Sequence, residues 1–230
     1  MMTIGIIGQG YVGTAIKLGF QEHYKIETYD KFDLGKSTRS TIKDIVEEAK
    51  VIFVCVPTPM RKDGTCYTGI VEEVIREINE TADDHIIVIK STIPPGTTDR
   101  INEEYTRSTV IFNPEFLTEE NFLEDFKNQK RIILGGDRKG TNKLRQIYSK
   151  VFPNTTIVKT GSNTAEMVKY FTNTFLATKV SFANEMYSVC EQIGIDYDKV
   201  VEYAIYDERL GKSHWAVPGP DGDFGFGGHC

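Results

Sequence analysis

Thr3–Gly13 reads TIGIIGQGYVG and contains the most informative pattern of the chain. Its apolar start, Thr3–Ile7, runs directly into glycine, which is typical of a buried parallel strand. Gly8, Gly10 and Gly13 then follow with the spacing G-x-G-x-x-G, where a helix is predicted to begin. In such a unit the first glycine permits the tight turn and the second lets a pyrophosphate approach the backbone, while the third allows the helix to pack closely on the strand. The segment therefore predicts a dinucleotide-binding turn.

The next strand completes this pattern. Lys25–Tyr29 is predicted to be a strand and leads into Asp30, at the expected spacing of about 20 residues. A carboxylate there can accept hydrogen bonds from both ribose hydroxyls and would repel a 2′-phosphate, so NAD is predicted rather than NADP. Tyr11, Val12 and Lys31 also belong to the expected cofactor-binding set, although the charge of Lys31 weakens the argument against NADP. An FAD site and a glycine turn that only packs are the alternatives.

Strands and helices alternate over residues 1–160, which predicts an α/β fold with a Rossmann-like, doubly wound, mainly parallel sheet. We predict an NAD-binding domain over this range. The remaining strands are predicted at Val51–Val56, His85–Lys90, Val110–Phe112, Arg131–Leu134 and Thr156–Val158, and the helices at Ala15–Phe20, Thr68–Asn79 and Thr141–Val151.

The pattern changes in residues 161–230, where a long central helix and a partial helical segment are predicted. Ala165–Ile193 contains neither Pro nor Gly, and its apolar residues recur at helical spacing. Asn163 and Glu166 fit a capping pair at its start. A shorter helix is predicted at Asp198–Tyr206, followed by a loop rich in Gly and Pro. So much apolar helix surface needs a partner, either a second copy of the chain or a missing domain, and we expect a homodimer through the long helix.

Composition argues against several classes of protein. The 230 residues carry a net charge of −6, which disfavours a protein that binds nucleic-acid phosphates. No apolar run approaches the roughly 20 residues of a membrane span, and the N-terminus has neither a basic segment nor a cleavage site. The four cysteines lack metal-ligand spacing, so we expect no metal site and a reduced, cytoplasmic protein.

Hydroxyl side chains follow two of the predicted strands. Ligands of doubly wound sheets bind beyond the carboxyl ends of the strands, so Thr58 is expected to line the cofactor pocket. Ser91 and Thr92 would place hydroxyls where the nicotinamide and a water molecule could lie. A plain proline-rich turn around Thr58, and helix capping by Thr97 or Thr98, are the alternatives.

Two pairs of polar residues have helical spacing. Glu115 and Glu119 would face one side if they lie in a helical turn, and paired carboxylates can take separate acid and base roles. Lys169 and Asn173 on the long helix could donate together to a developing oxyanion. The alternatives are a solvated acidic turn and a lysine whose charge reaches solvent beside a surface asparagine. Cys230, after a glycine-rich loop, is a candidate nucleophile.

Together these motifs resemble the UDP-glucose/GDP-mannose dehydrogenases, a family of nucleotide-sugar oxidoreductases that make uronic acids. The resemblance covers essentially the whole chain and is carried by six segments in the family's order: Gly8–Gly13, Val56–Pro59, Lys90–Pro94, Pro114–Glu119, Ala165–Asn173 and Gly225–Cys230.

The resemblance implies an NAD-dependent oxidation of a nucleotide sugar in polysaccharide biosynthesis, with UDP-glucose to UDP-glucuronate as the expected reaction. The C6 alcohol gives one hydride to NAD and becomes an aldehyde. A cysteine holds the aldehyde as a thiohemiacetal, and a second hydride transfer leaves a thioester that water hydrolyses.

The resemblance also implies a role for each matching residue. Cys230 is the expected nucleophile, with Lys169 and Asn173 stabilising the oxyanion. Thr92 is expected to hold the water and Glu119 to assist proton transfer or hydrolysis, and both are expected to contact the cofactor. Three further residues match the family: Glu115, expected to position the sugar, and Arg131 and Arg209.

In the family, a second α/β domain follows the cysteine and binds the nucleotide. That domain is absent from this sequence, so we expect the chain to be inactive or incomplete without a separate C-terminal half. Two other functions remain open: a two-electron hydroxyacid dehydrogenase of related fold, and a non-catalytic NAD-binding dimerisation module.

Overall fold

The computed structural model describes residues 1–226. Its centre is a seven-stranded sheet in the order β2-β1-β3-β4-β5-β6-β7. Neighbouring strands are parallel except β5 and β6, which pair antiparallel through Phe112 and Gly135. The strands are β1 Thr3–Ile7, β2 Lys25–Tyr29, β3 Val51–Val54, β4 Ile86–Ile89, β5 Thr109–Phe112, β6 Arg131–Gly135 and β7 Thr156–Thr160.

Helices connect the strands and cover the sheet. The predicted Rossmann-like fold with a long helix is confirmed. The helices are α1 Tyr11–Phe20, α2 Ile42–Glu48, α3 Gly69–Thr81, α4 Thr97–Glu104, α5 Phe122–Lys127, α6 Arg138–Val151, α7 Ser162–Ile193 and α8 Tyr197–Ala204.

The sheet is buried on both faces. Alternate residues of each strand point to opposite faces, so Ile52 packs in the cluster beneath α2 and α3 while Phe53 packs in the cluster beneath α1 and α6. In the second cluster the rings of Phe20, Phe53 and Tyr148 meet edge to face, and all three side chains are fully buried. This burial explains why the strands read as continuous apolar runs.

Several element bounds differ from the sequence prediction. Strand β3 ends at Val54 rather than Val56, and β4 covers Ile86–Ile89. Helices α2, α4 and α5, which have seven, eight and six residues, are not among the predicted elements.

The predicted capping pair at the start of the long helix is wrong. Helix α7 begins at Ser162, so Asn163 and Glu166 both lie inside it. The buried carboxylate of Glu166 accepts from the backbone N–H of Gly96 at 2.7 Å and from the N–H and hydroxyl of Thr98 at 2.8 and 2.6 Å. Glu166 therefore satisfies the free N–H groups at the start of α4 instead.

The chain divides into two compact units, Met1–Lys169 and Tyr170–Cys230, and the division falls inside α7. The first unit contains the sheet. The second has its own small core, formed by Ala183, Cys190, Tyr197 and Val217. The predicted domain boundary between residues 160 and 161 stays a prediction. Within residues 1–226 no helix combines the length and the apolar character needed to cross a bilayer.

Candidate cofactor and catalytic site

The glycine turn connects β1 to α1, next to the point where the strand order reverses between β1 and β3. Gly8 has φ +91°, a conformation that strains other residues. A Cβ on Gly13 would lie 1.9 Å from the carbonyl oxygen of Gly8, whereas a Cβ on Gly10 would meet no atom within 4 Å. Open space at Gly10, beside the free N–H groups of the α1 N-terminus, fits a cofactor pyrophosphate.

Asp30 lies beside this turn at the end of β2. One carboxylate oxygen accepts from the N–H of Gln9 at 2.7 Å, and the other accepts from Phe32 and Asp33 at 2.9 and 3.0 Å. Burial alone would raise the pKa of Asp30, but these three bonds outweigh it and lower the pKa. Because a carboxylate has about four acceptor positions, roughly one stays available to a ribose hydroxyl.

The other residues predicted around the cofactor lie on the same edge of the sheet. The ring of Tyr11 is half exposed and meets the ring of Phe122 edge to face at 5.2 Å, while the side chain of Lys31 is exposed. The hydroxyl of Thr58 donates to the carbonyl of Thr92 at 2.8 Å, which ties the end of β3 to the end of β4.

Ser91 and Thr92 differ in how their hydroxyls are used. The Ser91 hydroxyl donates to the carbonyl of Val56 at 2.6 Å and so helps to hold the loop. Thr92 lines a small cavity together with Thr58. The alternative of capping by Thr97 fails, because Thr97 is the first residue of α4 and its hydroxyl donates back to Pro94.

Two cavities open at this edge of the sheet, and three residues, Val12, Lys90 and Glu115, line both. The smaller, of about 150 Å³, lies beyond β3 and β4. The larger, of about 310 Å³, extends toward residues 114–131. A cofactor and a second ligand could therefore lie side by side, separated by these residues.

Glu115, which lines both cavities, forms a buried ion pair with Lys169. The ammonium of Lys169 donates to one carboxylate oxygen at 2.8 Å, and the side chains are 11% and 5% exposed. The other oxygen accepts from the N–H of Leu117 at 2.8 Å. The alternative of a lysine whose charge reaches solvent therefore fails. A buried pair of this kind seldom increases stability over apolar residues, which favours a functional reason for it.

Glu115 and Glu119 would face one side only in a helical turn, and this condition is not met, because residues 113–118 form irregular backbone. Glu119 begins a turn after this segment and is partly buried. Arg131 is exposed, and its guanidinium lies 4.5 Å from the centre of the Phe116 ring.

Three candidate residues lie in the second unit. Asn173 is partly buried on α7. Arg209 is exposed and donates to the carboxylate of Asp207, with the Nε bond at 2.9 Å. The proposed nucleophile Cys230 lies outside the described residues.

Sequence reasoning missed a polar cluster under the cavities. Lys90 is 5% exposed and donates to Asn113 Oδ1 at 3.0 Å and to the carbonyl of Pro114 at 3.4 Å. Tyr148 donates to the same Asn113 oxygen at 2.5 Å, and the Asn113 amide donates to Ile133 at 2.7 Å. The only sequence signal for this cluster was a lysine at the end of an apolar strand. That signal does not identify a hydrogen-bond acceptor 23 residues away.

Burial shifts the ionisation of this cluster. It lowers the pKa of Lys90 to about 8, which leaves the ammonium partly titratable near neutral pH. It raises the pKa of Cys55 to about 12 and that of Tyr148 well above its usual range, so both stay neutral. Among the residues described, no group of three or more His, Cys, Asp or Glu side chains is arranged to hold a metal ion.

Comparison with known families gives two matches that together span most of the chain. Residues 27–152 match the model described as "UDP-glucose/GDP-mannose dehydrogenase family, NAD binding domain". Residues 163–230 match the central domain of the same family. The glycine turn lies before the first matched range.

Individual relatives agree with these matches. The chain is 29% identical to UDP-glucose 6-dehydrogenase AglM of Haloferax volcanii, over 100% of this chain and 63% of the relative. It is 32% identical to UDP-glucose 6-dehydrogenase YwqF of Bacillus subtilis, over 100% and 59%. Among solved structures, a UDP-glucose dehydrogenase from Pyrobaculum islandicum superposes with a TM-score of 0.87 at 30% identity, over 100% of this chain and 61% of that one. The chain spans less than two thirds of these relatives.

Proposed function

The chain belongs to the UDP-glucose/GDP-mannose dehydrogenase family and carries its NAD-binding domain, and from this premise we propose that it oxidises the C6 alcohol of a nucleotide sugar to the carboxylate. UDP-glucose is the substrate we propose, since several relatives are UDP-glucose 6-dehydrogenases. The reaction removes two hydrides, and two NAD molecules accept them.

The observation that supports this function most is the buried pair of Lys169 and Glu115 beside the cofactor edge of the sheet. The Lys169 ammonium is held at 2.8 Å by one carboxylate oxygen of Glu115, which lines both cavities. Such a fixed cation suits an oxyanion that forms when a nucleophile attacks an aldehyde or water attacks a thioester. We propose that Lys169 stabilises this charge together with Asn173, and that Glu115 keeps the ammonium in place.

The remaining roles follow the family pattern. We propose that Cys230 adds to the C6 aldehyde, giving a thiohemiacetal that becomes a thioester after the second hydride transfer. Water then breaks the C–S bond and releases the carboxylate and the thiol. Thr92, which lines the smaller cavity, is proposed to hold this water, and Glu119 to take its proton. We propose no catalytic role for Arg131 or Arg209.

The cofactor is proposed to lie with its ribose at Asp30, its pyrophosphate at Gly10 and its nicotinamide in the cavity beyond β3 and β4. When bound, NAD supplies the hydride acceptor. Tyr11, Val12 and Thr58 complete the proposed contacts, with Lys31 near the ribose.

A second copy of the chain is the partner we propose for the long helix. The second unit exposes several large apolar side chains of α7, with Phe171 71% and Phe175 62% exposed. So many aromatic side chains on one helix are typical of a protein interface. A chain that sediments as a monomer at every concentration would contradict this proposal.

The glycine turn offers a sharp test of cofactor binding. Gly10→Ala places a methyl group in open space, so we expect the free energy of unfolding to change by less than ~0.5 kcal/mol. The same methyl group occupies the place of the pyrophosphate, so NAD affinity should fall at least ~10-fold. Calorimetric titration of the chain with NAD measures the change.

Gly13→Ala is the matched control, because its methyl group would collide with the carbonyl of Gly8. This variant should lose stability as well as binding. Unchanged NAD affinity in a folded Gly10→Ala variant would contradict the proposed site.

The reaction is tested by supplying UDP-glucose and NAD to the chain together with the C-terminal half that its relatives carry. We expect two NADH per sugar oxidised, and no carboxylate from Cys230→Ser. Full oxidation by the Cys230→Ser variant would contradict the cysteine mechanism, and inactivity with every nucleotide sugar would contradict the substrate class.

A further inference from the structure

Lys90 is a buried cation that the proposed chemistry leaves unused. Its ammonium donates to two neutral oxygens, those of Asn113 and Pro114. It forms no ion pair with any carboxylate within residues 1–226, and the nearby Glu115 is already paired with Lys169. Burying a charge without a charged partner costs stability, so the charge at this position needs an explanation.

The position of Lys90 connects it to the cofactor. Asp30 lies at the end of β2 and the glycine turn at the end of β1, so a dinucleotide extended along this edge brings its other end to β3 and β4. Lys90 follows β4 directly and lines the smaller cavity there, with Thr58 and Thr92. Lys90 therefore lies at the wall of the cavity where the nicotinamide ring is proposed to lie.

We propose that the ammonium of Lys90 makes this site bind NADH more tightly, relative to NAD⁺, than it would without the charge. The nicotinamide ring of NAD⁺ is cationic and is repelled by a buried ammonium, whereas the ring of NADH is neutral. The ring loses its positive charge when it accepts a hydride from the substrate carbon, whose hydroxyl proton is released. Lys90 thus favours reduction of the bound cofactor, and this inference rests on the proposed function.

The other charged and titratable groups around Lys90 do not supply the positive charge that repels the NAD⁺ ring. The Cys55 thiol and the Tyr148 hydroxyl, which face it from the end of β3 and from α6, stay neutral because burial raises the pKa of each. Glu115 and Lys169 carry opposite charges and form their own pair. Lys90 therefore supplies the net positive charge of this group of residues.

The test compares affinities, not turnover. The dissociation constants of the wild-type chain for NAD⁺ and NADH are measured at pH 7 by calorimetric titration. Lys90→Met keeps the length of the side chain and removes its charge, so the ratio Kd(NAD⁺)/Kd(NADH) should fall about 10-fold. Tyr148→Phe is the matched control, because it removes the other hydrogen bond to the same Asn113 oxygen and keeps the charge, so the ratio should stay within about 2-fold.

A second measurement follows the wild-type chain as the pH is changed. Burial places the pKa of Lys90 at about 8, so the ammonium is charged below this pH and neutral above it. As the pH rises from about 6.5 to 9.5, the ratio Kd(NAD⁺)/Kd(NADH) of the wild-type chain should therefore fall. In Lys90→Met the same ratio should stay constant.

A ratio that is unchanged in Lys90→Met, or independent of pH in the wild-type chain, would overturn the inference while leaving the cofactor site intact. A wild-type chain that binds neither cofactor would overturn the proposed function and this inference together.

Discussion

The two units of the chain bury their apolar residues very differently. In Met1–Lys169, both faces of the sheet are covered, and side chains such as Phe53 and Ile75 are completely inaccessible. Among the described residues of the second unit, the buried core comprises Ala183, Cys190, Tyr197 and Val217. Several of its aromatic side chains are more than half exposed, namely Phe171, Phe175, Phe182, Tyr203, Tyr206, Phe224 and Phe226.

This difference follows from the architecture of each unit. A parallel sheet with helices on both faces encloses its own core, because each strand contributes side chains to two packed layers. A long helix with one short neighbour has too few packed elements to cover its apolar side chains, so several of them stay exposed. The first unit is therefore complete by itself, while the second needs further surface to pack against.

The largest expected effect comes from matched phenylalanines in the two units. Phe53→Ala removes a fully buried ring and should lower the free energy of unfolding by ~3–5 kcal/mol. Phe175→Ala removes a ring that is 62% exposed and should change it by less than ~0.5 kcal/mol. Urea denaturation at a concentration that keeps the chain monomeric measures both. Similar losses in the two variants would contradict the contrast between the units.

A smaller effect is expected where the first unit buries a charge. Glu166→Ala leaves the two N–H groups and the hydroxyl that it binds without their acceptor, and should cost ~2–4 kcal/mol. Asn163→Ala, the matched control three residues earlier on α7, removes one exposed bond to Asp99 and should cost less than ~1 kcal/mol. Urea denaturation again measures both, and equal costs would mean that the carboxylate does not hold the start of α4.

The smallest expected effect concerns association. Phe175→Ser removes an exposed ring from α7, so dimer affinity should fall about 10-fold while monomer stability stays nearly unchanged. Phe32→Ser, which removes an 89% exposed ring from the first unit, should leave affinity unchanged. Sedimentation over a range of concentrations measures the affinity. Equal behaviour of the two variants would place any interface elsewhere than on this part of α7.

The sequence predicted the fold well because its strongest patterns are local. The apolar strands, the glycine turn with its φ of +91° at Gly8 and the length of α7 follow from short-range periodicity and from backbone freedom. The placement of Asp30 beside the turn also follows, since neighbouring parallel strands bring their carboxyl ends to one edge. The ion pair of Lys169 with Glu115 was not predicted, because the two residues are 54 positions apart in the sequence.

The missed features depend on contacts between distant residues. Glu166 binds the start of α4 across 68 residues, although its spacing from Asn163 indicated a local cap. Short helices such as α2 and α5 gave too few turns for a periodic pattern. Glu115 and Glu119 have the same sequence spacing whether or not a helix forms. Their spacing therefore did not reveal that residues 113–118 form irregular backbone.

The sequence by itself determined the Rossmann-like sheet, the glycine turn, the acidic residue that follows β2 and the family to which the six motifs point. These features rest on the spacing of residues within single elements, which the chain encodes directly. Only the tertiary structure paired Glu115 with Lys169, directed Glu166 to α4 and buried Lys90 beside two cavities with no carboxylate partner among residues 1–226. Burial and charge pairing depend on which distant side chains the fold brings together, and no local pattern records them.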